Sequence, residues 1–224
     1  MGGRSHCMSC GKTLTPMQLI PVLSWIGLRG RCGFCGKPIH WQYPLVEAAG
    51  ALIGVMAVLT AMGADGSWAV LEGIAFALFF FALLVVTAFD LRWGLVPVEF
   101  TLGAALATGA VRVMDGSGLA LTLAGALATG GLLWLIVFLS RGRLMGEGDP
   151  AVGLLLGAGL GWPLGIVGVG AAFLVGGIVA MLLLAARKVG RKTPVPFVPF
   201  LAVGAIMAYW WGEPFLEAFA YAFS

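Results

Sequence analysis

The chain has 224 residues, of which 60% are hydrophobic and only 10% are charged, and its mean hydropathy is +1.01. Soluble domains carry about 25% charged residues, so this composition excludes an ordinary water-soluble fold and predicts a membrane protein. The net charge of +3 is too small to indicate a nucleic-acid partner. The 35 glycines suit closely packed transmembrane helices, where small residues let backbones approach.

Residues 1–42 differ from the rest, because they are polar, interrupted by glycine and proline, and contain all four cysteines. They do not have the pattern of a secretion signal. The cysteines form two Cys-x-x-Cys pairs separated by residues 11–31, and such pairs can bring four thiolates to one tetrahedral zinc ion. Two disulfides are the alternative, but a cytoplasmic location would keep the thiols reduced. The sequence therefore predicts a small zinc-ribbon-like cytoplasmic module whose zinc ligands are Cys7, Cys10, Cys32 and Cys35.

Apolar runs dominate residues 43–224, which predicts a second, all-α polytopic domain. A full crossing needs about 20 apolar residues. Residues 150–161 are too few to cross alone, so we expect a partial span or a helix that starts deep beside its neighbours. About seven transmembrane helices are predicted in runs at 43–63, 67–89, 95–113, 118–139, 150–186 (broken at Gly161-Trp162-Pro163) and 196–211.

The basic residues predict the orientation of these helices. If the cysteine module faces the cytoplasm and each run crosses, only Arg112 falls on the far side, which agrees with the positive-inside bias. The acidic Asp65, Asp115, Glu213 and Glu217 fall mostly on that far side. The basic residues on the cytoplasmic side would be Arg4, Lys12, Arg29, Arg31, Lys37, Arg92, Arg141, Arg143, Arg187, Lys188, Arg191 and Lys192.

Two aspartates lie on this basic side, each at the end of an apolar run: Asp90 and Asp149. An ionisable residue at such a place is costly near lipid, so it is a candidate functional residue. Alone, either could simply mark a helix end, with Asp90 paired to Arg92. Together, two close carboxylates share a proton, and one takes a proton from water while the other hydrogen-bonds a scissile carbonyl. The pair predicts general acid/base hydrolysis of a peptide bond.

The polar segment 141–150 surrounds Asp149 with Gly146, Glu147 and Gly148. Glycines at these places would let the main chain of a substrate approach closely. We expect Gly146, Gly148 and Glu147 to support the loop or the substrate. Glu47, near the start of the first apolar run, has two interpretations: a carboxylate at a helix N-terminus, or a residue that binds substrate or cofactor.

A transporter or channel is the alternative function. In such a protein the carboxylates would relay protons, and the cysteine module would be a docking site. That alternative predicts carboxylates spread through the membrane depth rather than paired at one face.

The chain resembles the type IV prepilin leader peptidases, which are membrane aspartyl proteases of the Gly-x-Gly-Asp class. The resemblance covers most of the chain in the same order. Besides the two aspartate motifs it runs through Arg4-Ser5-His6-Cys7-Met8-Ser9-Cys10, Leu19-Ile20-Pro21-Val22-Leu23-Ser24-Trp25, Arg29-Gly30-Arg31-Cys32-Gly33-Phe34-Cys35-Gly36-Lys37-Pro38-Ile39, Tyr43-Pro44-Leu45-Val46-Glu47 and Pro196-Phe197-Val198-Pro199-Phe200-Leu201-Ala202.

The resemblance implies a bifunctional enzyme of the bacterial inner membrane that serves type IV pili or type II secretion. Such enzymes cut the basic leader of prepilins or pseudopilins after a glycine at the cytoplasmic face. They then methylate the new N-terminal amine with S-adenosylmethionine. The implied partners are prepilins and membrane lipid. By motif position, Asp90 and Asp149 would be the protease pair, and the four cysteines would hold zinc in the domain associated with methylation.

The chain departs from the family pattern at four places, one of which is Val98, where the family often has a polar residue after the proline. Ala151 stands where the family usually has a lysine, and Val198 stands where it usually has a glycine. The family also normally has another transmembrane helix before the cysteine module, whereas here Met1 lies almost directly before it. These departures leave both catalytic carboxylates in place.

Overall fold

The structure is a computed structural model that describes residues 5–64, 66, 68–187 and 195–222. Within these ranges the chain is helical and forms two compact units, Met1–Val55 and Met56–Ser224. The described residues do not include five of the charged residues that predict the orientation of the helices, namely Arg4, Asp65, Lys188, Arg191 and Lys192. The elements are a 3-10 helix (Pro16–Leu19), α1 (Leu23–Gly27), α2 (Gln42–Gly63), α3 (Ala69–Trp93), α4 (Val98–Met114), α5 (Leu119–Ser140), α6 (Asp149–Leu160), α7 (Leu164–Ala185) and α8 (Val198–Ala222).

The seven helices α2 to α8 correspond to the seven apolar runs predicted from the sequence, so the all-α polytopic fold is confirmed. The predicted break also occurs, because α6 ends at Gly161, which has a left-handed φ of 72°. Among the described residues, α2, α3, α5 and α7 are long and apolar enough to cross a membrane. Helix α8 is longer than the predicted 196–211, since Pro214 lies inside the helix without ending it.

The closest helix contact in the larger unit joins α5 and α6 through small residues. A Cβ at Gly157 would overlap the backbone of Gly125, so these two helices touch main chain to main chain. The Thr129 hydroxyl donates to the Gly153 carbonyl at 2.6 Å. Helix α6 therefore packs antiparallel to α5 with a fixed register, as small residues at helix contacts allow in membranes.

That register shows where the short α6 begins. Gly153 is level with Thr129 and Gly157 with Gly125, so Asp149 is level with Leu133. Leu133 precedes the end of α5 at Ser140 by seven residues, which is about 10 Å of helix. Helix α6 thus starts deep between longer helices, which is one of the two possibilities that its length predicted.

Helices α7 and α8 form a second antiparallel pair with the same kind of contact. A Cβ at Gly204 would overlap the Gly168 carbonyl, and Gly176 lies against Phe200 near the start of α8. Because α7 continues to Ala185, it extends past the first residue of α8, Val198. The N-terminus of α8 therefore also begins inside the bundle, and Val198 is fully buried.

Candidate active site and metal centre

Asp90 and Asp149 are both buried, with exposed fractions of 7% and 5%. Asp90 lies in the last turn of α3, and Asp149 is the first residue of α6. Both therefore lie at the ends of helices, where one turn of backbone amides or carbonyls is free to form hydrogen bonds outside the helix.

The packing of α3 on α6 brings the two aspartates to the same level. A Cβ at Gly159 would overlap the Phe79 ring, so these residues are opposite each other in an antiparallel pair of helices. Ten residues further along each helix lie Asp149 and Phe89, the neighbour of Asp90. The two carboxyl groups are close enough for the charge of Asp90 to act on Asp149.

A backbone amide holds each carboxylate. The Val198 N–H, at the start of α8, donates to Asp90 Oδ2 at 3.2 Å. The Gly146 N–H donates to Asp149 Oδ2 at 3.0 Å. The positive ends of α8 and α6 thus point at the two acids, and helix N-termini stabilise negative charge. Three helix ends from distant parts of the chain build the site.

Gly148 has a packing reason to be glycine. A Cβ at Gly148 would lie 2.5 Å from the Val96 Cβ, in the segment that joins α3 to α4. A Cβ at Gly146 would make only ordinary contacts, the nearest being Asp149 Oδ2 at 3.5 Å. Val96 therefore fills the space beside Gly148, and the two glycines of the motif differ in what they tolerate.

Glu147 lies beside an open crevice of about 510 Å³ rather than beside the paired carboxylates. The crevice combines apolar side chains from the last turns of α5 with one cation and one anion. It is large enough for peptide side chains. Its lining residues are Val137, Phe138, Leu139, Arg141, Gly142 and Glu147.

Glu47 belongs to the N-terminal unit, where it supports a strained turn. Its Oε2 accepts a hydrogen bond from the Val22 N–H at 2.8 Å. Val22 has φ 60° and ψ −50°, which is costly for a β-branched residue. The carboxylate therefore satisfies an amide that the turn would otherwise leave without a partner.

Two other described carboxylates, Glu72 and Asp115, lie at the far end of the bundle from the pair. Glu72, in the first turn of α3, lines a separate cavity of about 40 Å³ with Arg112 and Tyr209. It precedes Asp90 by 18 residues on the same helix, or about 27 Å. Asp115 pairs with Arg112 at 3.6 Å. This clustering does not match the carboxylates spread through the membrane depth that a proton relay predicts.

The four cysteine sulfurs form a compact cluster. Their Sγ atoms all lie within 4.8 Å of one another, and Cys7 Sγ is 3.9 Å from Cys35 Sγ. A tetrahedral site with Zn–S bonds of about 2.3 Å requires sulfurs roughly 3.8 Å apart, whereas a disulfide requires about 2.05 Å. All four cysteines are free. The cluster fits a zinc ion and does not fit disulfides.

Both knuckles have the same backbone, which explains why the sulfurs converge. The Cys7 and Cys32 amides donate to the carbonyls of Lys12 and Lys37. The glycine after each pair, Gly11 or Gly36, has φ 68°. That left-handed conformation is the one that glycine adopts without strain, so each chain turns back on itself directly after the second cysteine.

The electrostatics of the cluster favour a metal ligand. Backbone hydrogen bonds from Ser9 and Cys10, with a side-chain contribution from Cys32, lower the pKa of Cys7 to about 6. The thiolate is the form that binds metal. The cluster thus already stabilises one deprotonated sulfur at neutral pH.

Two contributors to the site escaped the sequence analysis. The Pro196-Phe197-Val198-Pro199 motif was noticed, but only the structure shows that its Val198 amide holds Asp90. Val96 stands in the stretch that follows Asp90, but the sequence gives it no role. Its only signal was its place next to Pro97, in the segment that follows the aspartate-bearing helix.

The fold and site define a polytopic membrane protein with a buried aspartate pair and a cluster of four cysteines that fits a metal ion. Residues 1–61 match the family model described as Bacterial Peptidase A24 N-terminal domain. Curated relatives named prepilin leader peptidase/N-methyltransferase match nearly the whole chain. The protein from Aeromonas hydrophila is 34% identical over 94% of this chain and 72% of its own length.

Two further relatives with the same name show the same extent of similarity. The protein from Burkholderia pseudomallei (strain 1026b) is 34% identical over 95% of this chain and 68% of its own length. That from Bacillus subtilis (strain 168) is 31% identical over 96% of this chain and 84% of its own length. No solved structure matches the chain. The chain belongs to the prepilin leader peptidase/N-methyltransferase family.

The metal centre generates the first prediction. The purified protein is expected to contain one zinc ion per chain, and Cys10→Ser is expected to lose most of it, because three thiolates and a hydroxyl bind zinc more weakly. Metal analysis by mass spectrometry measures both. Ser9→Ala, between the pairing cysteines, is the matched control and should keep its zinc. Full zinc content in Cys10→Ser, or thiols that react only after reduction, would contradict the assignment.

The glycines of the aspartate motif generate the second prediction. Gly148→Ala must displace Val96 and is expected to destabilise the protein by about 1–3 kcal/mol, the usual cost of overpacking. Gly146→Ala makes ordinary contacts and should change stability little. Thermal unfolding of the two variants in the same detergent tests the difference. Equal unfolding temperatures would show that Val96 does not confine Gly148.

Proposed function

We propose that the protein is a membrane-embedded aspartic endopeptidase that removes the leader from prepilins or pseudopilins. The observation that carries this proposal is that two buried aspartates, 59 positions apart in sequence, lie at one level and within electrostatic range. The family membership supports the same activity, since its members are named prepilin leader peptidase/N-methyltransferase.

The chemistry follows from two carboxyl groups that share one proton. The reaction needs one aspartate ionised and the other protonated, and the repulsion between two neighbouring negative charges favours that arrangement over two ionised acids. The ionised aspartate takes a proton from a water molecule, whose oxygen attacks the scissile carbonyl carbon. The protonated aspartate hydrogen-bonds the carbonyl oxygen and transfers its proton there. The resulting diol collapses, the C–N bond breaks, and the amine leaves with a proton from the pair.

The depth of the site suits a substrate with one apolar and one polar end. The aspartate pair is about 10 Å below the end of α5, so a peptide bond that reaches it must lie at the start of a membrane-inserted segment. A prepilin presents its leader there, before the apolar helix. We place the cut after a glycine, on the cytoplasmic face of the bacterial inner membrane. The described Arg92, Arg141, Arg143 and Arg187 follow or end helices on this side.

The crevice beside Glu147 is the proposed contact for the leader. It adjoins the polar segment 141–150 that leads into α6, and it combines apolar side chains with the Glu147 carboxylate. A basic leader would pair with Glu147 while its apolar side chains pack on α5. Arg141, in the same crevice, would favour substrates that carry a negative group next to the leader.

We extend the proposal to N-methylation of the new N-terminus, which rests on the second half of the relatives' name. S-adenosylmethionine would supply the methyl group. The zinc ion would hold residues 7–35 in their folded form without taking part in the reaction, because four cysteine ligands leave it no open coordination position. Mass analysis of the product N-terminus distinguishes a peptidase alone from a bifunctional enzyme.

The aspartate pair generates the third prediction. Asp90→Asn and Asp149→Asn are each expected to reduce prepilin cleavage by about 10²–10⁴-fold, since each removes one half of the acid/base pair. Cleavage of a purified prepilin in detergent measures the rate. Asp115→Asn, an aspartate at the other end of the bundle, is the control and should cleave normally. Full activity in either of the first two variants would sink the aspartic mechanism.

The Val198 amide generates the fourth prediction. Val198→Pro removes the N–H but keeps a residue that is favoured at the start of a helix. The loss of a hydrogen bond to a charged group costs about 1.5–3 kcal/mol, so cleavage should slow by roughly 10- to 100-fold. Val198→Ala keeps the N–H and should remain within a few-fold of the unchanged protein. If both variants cleave equally fast, the amide does not hold Asp90 for catalysis.

A further inference from the structure

The segment that joins the two knuckles has its apolar side chains on the outside. Every third residue of positions 17–26 is large, apolar and exposed, namely Met17 (80%), Ile20 (44%), Leu23 (67%) and Ile26 (59%). We call these four residues the outer stripe. Met17 lies in the 3-10 helix, Ile20 is the extended residue that follows that helix, and Leu23 and Ile26 lie three apart on one face of α1.

The opposite side of the same segment is the one that packs inward. The Trp25 indole donates to the Ile39 carbonyl at 3.1 Å, and Gly30 lies directly against the Trp25 ring. Gln18 accepts a hydrogen bond from the Thr15 amide and lies against Gly33. The module therefore has its own packed side, and the outer stripe is not needed to complete it.

The charge around the outer stripe is mainly positive, although the Glu47 carboxylate contacts the same segment at the Val22 N–H. Residues 1–46 contain no aspartate or glutamate. Lys12, Arg29, Arg31 and Lys37 are all exposed in this module. Even with the two negative charges of a zinc ion bound to four thiolates, these side chains leave the module positive. An exposed apolar stripe with basic neighbours is the combination that binds anionic lipid surfaces.

The chain also keeps the module near a membrane. Its last knuckle residue, Cys35, is followed within seven residues by α2, which is long and apolar enough to cross. Trp41 and Tyr43 are exposed at the start of that helix, where aromatic residues mark the headgroup level. The outer stripe is tethered close to the headgroups, so lipid is the binding partner that is always within its reach.

We propose that the outer stripe inserts into the anionic headgroup layer of the membrane that α2 enters. Met17, Ile20, Leu23 and Ile26 sink below the phosphate level, and the basic side chains contact the lipid phosphates. The zinc module is then a peripheral membrane element that is held at two places, by α2 and by this stripe.

Site-specific quenching on the full chain tests this proposal. A fluorescent amino acid replaces Leu23 or, as the matched control, Thr13, an exposed polar position in the first knuckle hairpin. Each protein is reconstituted into phosphatidylcholine vesicles with or without phosphatidylglycerol, with spin label on the upper acyl chain. Quenching at position 23 is expected to be several-fold stronger than at 13, to require phosphatidylglycerol and to weaken in high salt.

A second variant keeps the result interpretable. Leu23→Glu with Ile26→Glu changes only exposed side chains, so zinc content should stay unchanged while a fluorophore at position 20 loses its quenching. Equal quenching at 23 and 13, or quenching that is indifferent to phosphatidylglycerol, overturns the proposal. So does equal quenching of positions 23 and 13 by aqueous iodide in the anionic vesicles, because the stripe would then lie in water rather than in lipid. Protection that rises with protein density would assign the stripe to a second copy.

Discussion

The site depends on keeping two carboxylates together away from water. Each would cost several kcal/mol if buried alone as an ion, and their mutual repulsion adds to that cost. The bundle offsets it with backbone groups. The Gly146 amide holds Asp149 and the Val198 amide holds Asp90, and both amides lie at or just before the positive end of a helix. A backbone amide adds no counter-charge, whereas a lysine or arginine in the same place would favour the ionised form of both acids.

This constraint explains why α6 is short. A helix that crossed fully would carry its first residue to the headgroup level, where water would solvate Asp149. With 12 residues, α6 begins beside Leu133 and ends where the Trp162 amide donates to the Leu121 carbonyl at 3.0 Å. Glycine makes this possible, because the Gly125–Gly157 contact lets α5 cover α6 closely enough to exclude lipid from its backbone. The short length of α6 and its glycine contacts with α5 thus act together to bury Asp149.

The helices, their order and the candidate aspartates could be predicted from the sequence, because hydropathy and isolated charges in apolar runs are local signals. The sequence also placed the four sulfurs together, since Cys-x-x-Cys spacing constrains the backbone itself. It could not show the depth of α6, which depends on which glycine faces which carbonyl in a different helix. Nor could it show that Glu47 holds the Val22 turn or that Val96 confines Gly148. These are contacts between residues that are distant in sequence, and the pattern of residues around either partner does not indicate the other.

Val198 shows how such a contact changes the meaning of a departure from the family pattern. A valine in place of the usual glycine suggests a damaged motif if the side chain is the functional part. Here the group that contacts Asp90 is the amide, which every residue except proline supplies. The Val198 side chain is fully buried at the start of α8, so it adds apolar contact behind the hydrogen bond to Asp90. The substitution therefore preserves the donor. The contact with Asp90 needs only a backbone N–H at the N-terminus of α8. The identity of the side chain at this position then depends on the packing around it.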